Sequence, residues 1–233
     1  MNRFAASSGK APLLDLRSVS RRFSRPLDLA AKIARALGSR QKEQVVHAVD
    51  DVSLSVHEGE VLGLVGESGC GKSTLGRMMA GILSPSEGKI LYRGMDVNTL
   101  SPEQRREADL KIQMIFQDPF ASLNPRYRVR DIIGEAPRVH RVVPAKEMDA
   151  FLDGIMLKVG LDPEYGQRYP HQFSGGQRQR IGIARALAVR PECIVCDESV
   201  AALDVSIQAQ IINLFIRLRE ELNLTYVFIS HDI

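Results

Sequence analysis

The residues Gly66-Glu67-Ser68-Gly69-Cys70-Gly71-Lys72-Ser73-Thr74 fit the spacing G-x-x-x-x-G-K-[ST]. Glycines at these intervals let a backbone curl with its N–H groups pointing inward, and the lysine adds a mobile positive charge, which is chemistry for a polyphosphate. Lys72 is placed to reach the β- and γ-phosphates, and the Ser73 hydroxyl to ligate Mg²⁺. Asp197-Glu198 follows the apolar run Cys193-Ile194-Val195-Cys196. Two carboxylates at the carboxyl end of a central parallel strand suit a metal-holding group, Asp197, and a base, Glu198, that polarises the water attacking the γ-phosphate. Thr225-Tyr226-Val227-Phe228-Ile229 delivers Ser230-His231-Asp232 to the same sheet edge, with His231 as a donor to that phosphate. Ser174 and Gln177 form an S-x-x-Q capping box. Gly175 and Gly176 stand between this cap and a helix over 178–189, so its first N–H groups are left open to an anion.

The elements around these residues follow from their patterning. Val61-Leu62-Gly63-Leu64-Val65 reads as a buried strand and Leu75 to Ala80 as a helix ended by Gly81, so the glycine loop lies between strand and helix. Upstream, Leu13-Leu14-Asp15-Leu16 with Val19 suggests a short strand. Phe23 follows in the basic context Arg21-Arg22-Phe23-Ser24-Arg25, as a ring that stacks on adenine or simply packs. Pro26 to Gln44 has the spacing of a short basic amphipathic helix, a surface ornament or a contact to membrane or partner. Alternation at Val45 to Val49 and Val52 to Val56 predicts strands, with His47 and His57 as solvent-facing strand residues and Glu58-Gly59-Glu60 as a turn. A strand over 89–92, a helix from Ser101-Pro102-Glu103 and a strand over 111–116 lead to Gln117-Asp118-Pro119. Residues 119–175 read as a mainly helical insert, and Ser206 to Leu222 as a long amphipathic helix.

Composition bounds the function classes. The chain has 233 residues, 44% apolar and 25% charged, enough for one large α/β domain or two subdomains. A net charge of +3 argues neither for nor against nucleic acid, although the first 40 residues hold nine Lys or Arg against Asp15 and Asp28. No run approaches the apolar length of a membrane span, and Met1 to Lys10 lacks a signal-peptide core, so the chain is expected to stay in the cytoplasm. Three cysteines argue against a disulfide framework, and Cys193 and Cys196, three apart on a strand, face opposite sides and read as buried thiols.

Together these residues resemble the nucleotide-binding subunit of an ATP-binding-cassette (ABC) transporter. The glycine loop is similar to that family's Walker A, Gln117 to its Q-loop, Phe173 to Gln177 to its signature sequence, and Cys193 to Glu198 to its Walker B. Ala201 to Asp204 matches the D-loop and His231 the switch histidine. Ile115 to Arg126, and Glu67-Ser68-Gly69-Cys70, resemble the oligopeptide and dipeptide importer subgroup. Phe173, Ser199 and Ala201 depart from the commoner Leu, Pro or Ala, and Ser at their positions.

The resemblance implies an α/β P-loop NTPase (RecA-like) core with an amino-terminal antiparallel β subdomain. Residues 1–233 form one nucleotide-binding domain, truncated at its carboxyl end, with 119–175 as a helical subdomain. The missing end is expected to uncover the last strand and expose a sheet edge. The cofactors implied are ATP and Mg²⁺. The resemblance assigns catalysis to Glu198, His231, Lys72 and Gln117, and metal binding to Ser73, Gln117 and Asp197. Nucleotide contacts fall to Gly66 through Thr74, Phe23, Ser174, Gly175, Gly176, Gln177 and Asp204. Implied partners are transmembrane permease subunits, a second ATP-binding subunit, identical or paralogous, and indirectly a periplasmic solute-binding protein, with no nucleic acid. The implied location is the cytoplasmic face of the inner membrane. A nucleotide-binding fragment without turnover and a soluble cassette ATPase acting on nucleic acid are the rival readings.

Overall fold

Leu14, Leu16 and Val19 are fully buried along β1 (Leu14–Ser24), with a register irregularity between Leu16 and Val19, while Arg17 and Ser18 between them are exposed. In the computed structural model, which describes residues 11–24, 45–118, 121–199 and 203–231, β1 sits in an antiparallel sheet of order β2-β1-β4-β5. Its other strands are β2 (Val45–Val56), β4 (Glu87–Tyr92) and β5 (Met95–Asp96). The readings of Pro26 to Gln44, Pro119, Ala201 and Asp232 lie outside the described residues.

A second sheet is parallel throughout, in the order β3-β8-β7-β6, from β3 (Val61–Val65), β6 (Ile112–Ile115), β7 (Cys193–Asp197) and β8 (Thr225–Ser230). Helix α1 (Lys72–Met79) lies between the two sheets, burying Leu75, Met78 and Met79 against Leu14, Val49 and Ile90 on one side and Val195 and Ile229 on the other. A Cβ on its Gly76 would sit 2.5 Å from Ile229 Cδ1, so glycine sets how closely α1 approaches the sheet. Helix α2 (Pro102–Lys111) has a complete Ser101–Gln104 capping box and runs straight into β6.

The other face of the parallel sheet, with Ile194, Cys196 and Tyr226, is covered by four helices: α3 (Val129–Val139), α4 (Met148–Lys158), α5 (Gly175–Leu187) and α6 (Val205–Leu222). Their apolar faces form one continuous core. Among the described residues no helix is long and apolar enough to cross a membrane.

Three expectations change. β3 is not buried: it is an edge strand, paired to β8 alone in the described sheet, and Val61 and Val65 are 45% and 50% exposed. A run of five apolar residues does not tell an edge from a centre. Conversely, β8 is flanked by β3 and β7 and buried at Tyr226, Val227 and Ile229, so the last strand is not the uncovered one. Finally, Gly175 and Gly176 are inside the first turn of α5, not between cap and helix.

Candidate functional site

Because β3, β6, β7 and β8 run parallel, their carboxyl ends bring the glycine loop, Gln117, Asp197-Glu198 and His231 to one edge of the sheet. The loop begins at Gly66 where β3 ends and closes at Gly71, the N-cap of α1, with Gly69 at φ +81° and Gly71 at φ +97°. A Cβ on Gly71 would meet Ala48 O at 2.0 Å, so both conformation and space demand glycine there. No side chain caps α1 and no acidic residue lies in its first turn, which leaves its positive end facing the loop. Lys72 Nζ donates to Gly66 O at 2.6 Å and Glu67 O at 2.7 Å, folding the ammonium over the loop, with Cys70 Sγ at 3.8 Å. Ser68 is exposed in the loop and Thr74 lies in the first turn of α1.

Asp197, the buried last residue of β7, accepts a hydrogen bond from Ser73 Oγ at 2.8 Å. The pair joins the loop helix to the central strand and presents hard oxygens of the kind Mg²⁺ prefers. Among the described residues no group of three His, Cys, Asp or Glu stands together, so the remaining ligands would come from water and phosphate. Glu198 has φ +45°, an uncommon backbone for a non-glycine residue, fixed by its N–H donating to Ile229 O at 3.1 Å. Its half-hidden carboxylate is bracketed: Gln117 Nε2 donates to Oε2 at 2.7 Å and His231 Nδ1 lies 3.4 Å from Oε1. Gln117, assigned to the metal by resemblance, therefore contacts the carboxylate expected to be the base.

The capping box of α5 is complete, with Gln177 N–H on Ser174 Oγ at 3.3 Å and Ser174 N–H on Gln177 Oε1 at 3.0 Å. Gly176 has a packing reason that the sequence did not disclose: its Cβ would lie 2.6 Å from Ile207 Cγ2 of α6. Among the described residues no hydrogen bond or ion pair links Ser174, Gly175, Gly176 or Gln177 to Lys72, Asp197 or Glu198. Asp204 is exposed at the N-cap of α6, and its side chain makes no capping bond. Phe23, in β1, is 40% exposed, with the Arg21 guanidinium 4.8 Å from its ring centre. It is absent from the lining of the cavity of about 460 Å³ beside the glycine loop, where His47, Asp50, Cys70 and Lys72 meet.

Sequence reasoning also missed Arg185. Its Nη1 in α5 donates to Ser122 O, in the loop that starts at Gln117, and burial lowers its pKa. A lone arginine in a helical pattern gives no sign of such an anchor. Cys193 and Cys196 are buried free thiols on opposite faces of β7, and burial pushes Cys193 up to about 12 and Cys196 further up.

A phosphate-cradling loop between strand and helix, two carboxylates at a strand end and a doubly wound sheet define a P-loop nucleotide-binding cassette. The chain belongs to the ABC transporter family, whose profile matches residues 49–201. It is 58% identical to the oligopeptide transport ATP-binding protein AppF of Bacillus subtilis over 189 residues, 81% of this chain and 57% of that protein. It is 52% identical to the oligopeptide transport ATP-binding protein OppF of Haemophilus influenzae over 193 residues, 82% and 58% of the two chains. The glutathione import ATP-binding protein GsiA of Shigella dysenteriae is 47% identical over 221 residues, 95% of this chain and 34% of that protein. The chain thus spans less than two thirds of the length of these relatives. Among solved structures, the ATP-binding cassette MJ0796, dimeric and bound to ADP and Pi after hydrolysis, superposes with a TM-score of 0.76 at 27% identity, covering 94% of this chain and 88% of that one.

Proposed function

We propose that this chain is the ATP-hydrolysing motor subunit of an importer of oligopeptides or dipeptides. The observation that carries the reading is the Ser73–Asp197 hydrogen bond of 2.8 Å beside the bracketed Glu198, at the sheet edge that also bears the glycine loop. In this reading Lys72 exchanges the Gly66 and Glu67 carbonyls for the β- and γ-phosphate oxygens of ATP, and the N–H groups at the start of α1 take the rest of that charge. Ser73, Asp197 and Gln117 are the residues that would hold Mg²⁺, which when bound neutralises charge on the phosphates. Glu198 accepts a proton from the water that attacks the γ-phosphorus. The new oxygen–phosphorus bond replaces the bridging one, leaving ADP and phosphate. His231 donates to the γ-phosphate. Ser174, Gly175, Gly176 and Gln177, with Asp204, act on ATP held by a second subunit, identical or paralogous. This assignment accords with the lack of any bond between them and Lys72 in their own chain.

Closing and opening of that pair drives transmembrane permease subunits at the cytoplasmic face of the inner membrane, which a periplasmic solute-binding protein supplies. The names of the AppF and OppF relatives support the peptide cargo. The test combines size exclusion with turnover. Glu198→Gln keeps the shape of the base and removes its proton affinity, so it should elute as a dimer only with Mg²⁺ and ATP, while the parent hydrolyses ATP. An ATP-bound monomer without parental turnover would remove the motor reading. Stimulation of turnover by peptide, in vesicles carrying permease and binding protein, tests the cargo.

A further inference from the structure

Just before the capped start of α5 the chain presents an aromatic surface outside the residues assigned so far. His171 is exposed and Tyr169 half-buried, and their rings stack with centres 5.8 Å apart and planes 9° apart. The Arg128 guanidinium lies 6.0 Å from the centre of the Tyr169 ring, within reach of its π face. Burial does not account for the stack, because the outer ring stands in water.

The backbone beneath the rings is pinned. Gln172 N–H donates to Tyr169 O at 2.9 Å and Tyr169 N–H to Gln172 Oε1 at 2.8 Å, closing the 3₁₀ turn Pro170–Gln172. From α5, Arg178 Nε donates to Pro170 O at 2.8 Å and Nη2 to His171 O at 3.4 Å. The stack is therefore carried by the helix that Ser174 caps. Phe173 and Ser174 are extended, at φ −117° and −67° with ψ 150° and 165°. Three residues of extended chain, from His171 to Ser174, span at most about 10 Å. That is the scale of the phosphates and ribose that separate a γ-phosphate from its base.

Resting on the proposed function, in which Ser174 acts on ATP held by a second subunit, we propose that the Tyr169–His171 stack is a base-stacking platform that works across the dimer. With Ser174 at the γ-phosphate, the outer face of His171 lies against the adenine ring of the same ATP. An aromatic base is what such a face recognises, because stacking needs only a π surface. Tyr169, held by Arg128, keeps the imidazole plane fixed so that little ordering remains to be done on binding.

The test is ATP-driven dimer formation of Glu198→Gln protein, read by size exclusion with Mg²⁺. Adding His171→Ala should raise the ATP concentration for half-maximal dimer about tenfold, the scale of one lost base stack. His171→Phe keeps a π face without a ring nitrogen and should stay within about twofold of the parent. His171→Gln keeps a hydrogen-bonding group without a ring and should behave as alanine does. ATP affinity of the protein at dilutions where it is monomeric should be the same for all four, since the platform serves the other subunit. Because His171 is exposed, each change should move Tm by no more than about 2 °C.

Dimer formation indifferent to His171→Ala would overturn the platform, as would a glutamine that restores it where phenylalanine fails. Weaker binding to the monomer would place His171 at its own chain's nucleotide and overturn the crossing contact. A large fall in Tm would assign the stack to the stability of the 170–172 turn instead. If the Glu198→Gln parent itself forms no dimer with ATP, the motor reading falls and the platform with it, an outcome distinct from a parent that pairs while its His171 variants pair equally well.

Discussion

Gly176 separates a packing requirement from a functional one. Replacing it with alanine puts a methyl carbon 2.6 Å from Ile207 Cγ2, where carbon–carbon contact is favourable from about 3.5 Å, so α5 and α6 must part by about 0.9 Å or Ile207 must leave its rotamer. Overpacking of this kind costs about 1–3 kcal/mol. The better helix propensity of alanine offsets up to about 1 kcal/mol of it, and less at the second helical position than in the interior. Gly176→Ala should therefore destabilise the chain by about 1–2 kcal/mol in urea unfolding. Ile207→Leu moves the branch one carbon outward and removes the offending Cγ2 while conserving volume. In that background the overlap is gone and Gly176→Ala should be neutral or slightly stabilising. Equal destabilisation in both backgrounds would refute the packing argument. ATP turnover read on the same four proteins isolates the second role: if the Gly176 backbone must approach a phosphate across a dimer, activity stays low even where stability returns.

Lys72→Ala removes the ammonium that reaches Gly66 O and Glu67 O and should abolish detectable ATP binding by calorimetry; retained affinity would place the phosphates elsewhere. Phe23→Ala should weaken ATP binding by about 1–3 kcal/mol as a lost stacking platform, and unchanged affinity would return Phe23 to its contact with Arg21. Of the three thiols only Cys70 is exposed, so a thiol reagent should titrate one group rapidly in the native protein and three in urea, with Mg²⁺ and ATP slowing the first. Glu192 is hydrogen-bonded by Arg93 and Tyr92: burial raises its carboxyl pKa, but these partners outweigh burial and leave it below the ordinary value. A depressed carboxyl contributes stability above the unfolded pKa and loses it as pH falls through the native one, so Glu192→Gln should cost about 1–2 kcal/mol at pH 7 and converge on the parent once acid protonates the carboxyl in the native state.

Much of the site was legible because its residues obey short-range rules. The glycine positions between strand and helix, the S-x-x-Q cap and the carboxylates after an apolar run each state a local geometry, and the parallel strands carry them to one edge. The rest depended on distances between segments remote in sequence. Nothing in Val61 to Val65 says that, among the described strands, β8 alone pairs with it. Gly176 gives no sign of Ile207, nor Arg185 of Ser122, because those contacts are set by how α5 and α6 lie against the sheet. Gln117 is assigned to catalysis and to the metal by resemblance, and its 2.7 Å contact with Glu198, 81 positions away, is written in neither segment.

The pairing of β3 has a consequence for how the protein is made. Within the described sheet β3 hydrogen-bonds to β8 alone, joining Val61 to Tyr226 and Val65 to Ser230, a separation of 165 residues between 61 and 226. At about 5–20 residues per second, a ribosome takes roughly ten to thirty seconds to travel from one to the other. During that interval β3, which carries the glycine loop, has left the exit tunnel without its parallel partner, α1 has only the antiparallel sheet to pack against, and Val61 and Val65 are available to chaperones. Nucleotide affinity should therefore appear abruptly on stalled nascent chains, only once β8 has emerged, although the phosphate loop itself was finished some 150 residues earlier, counting from Thr74 to Ser230.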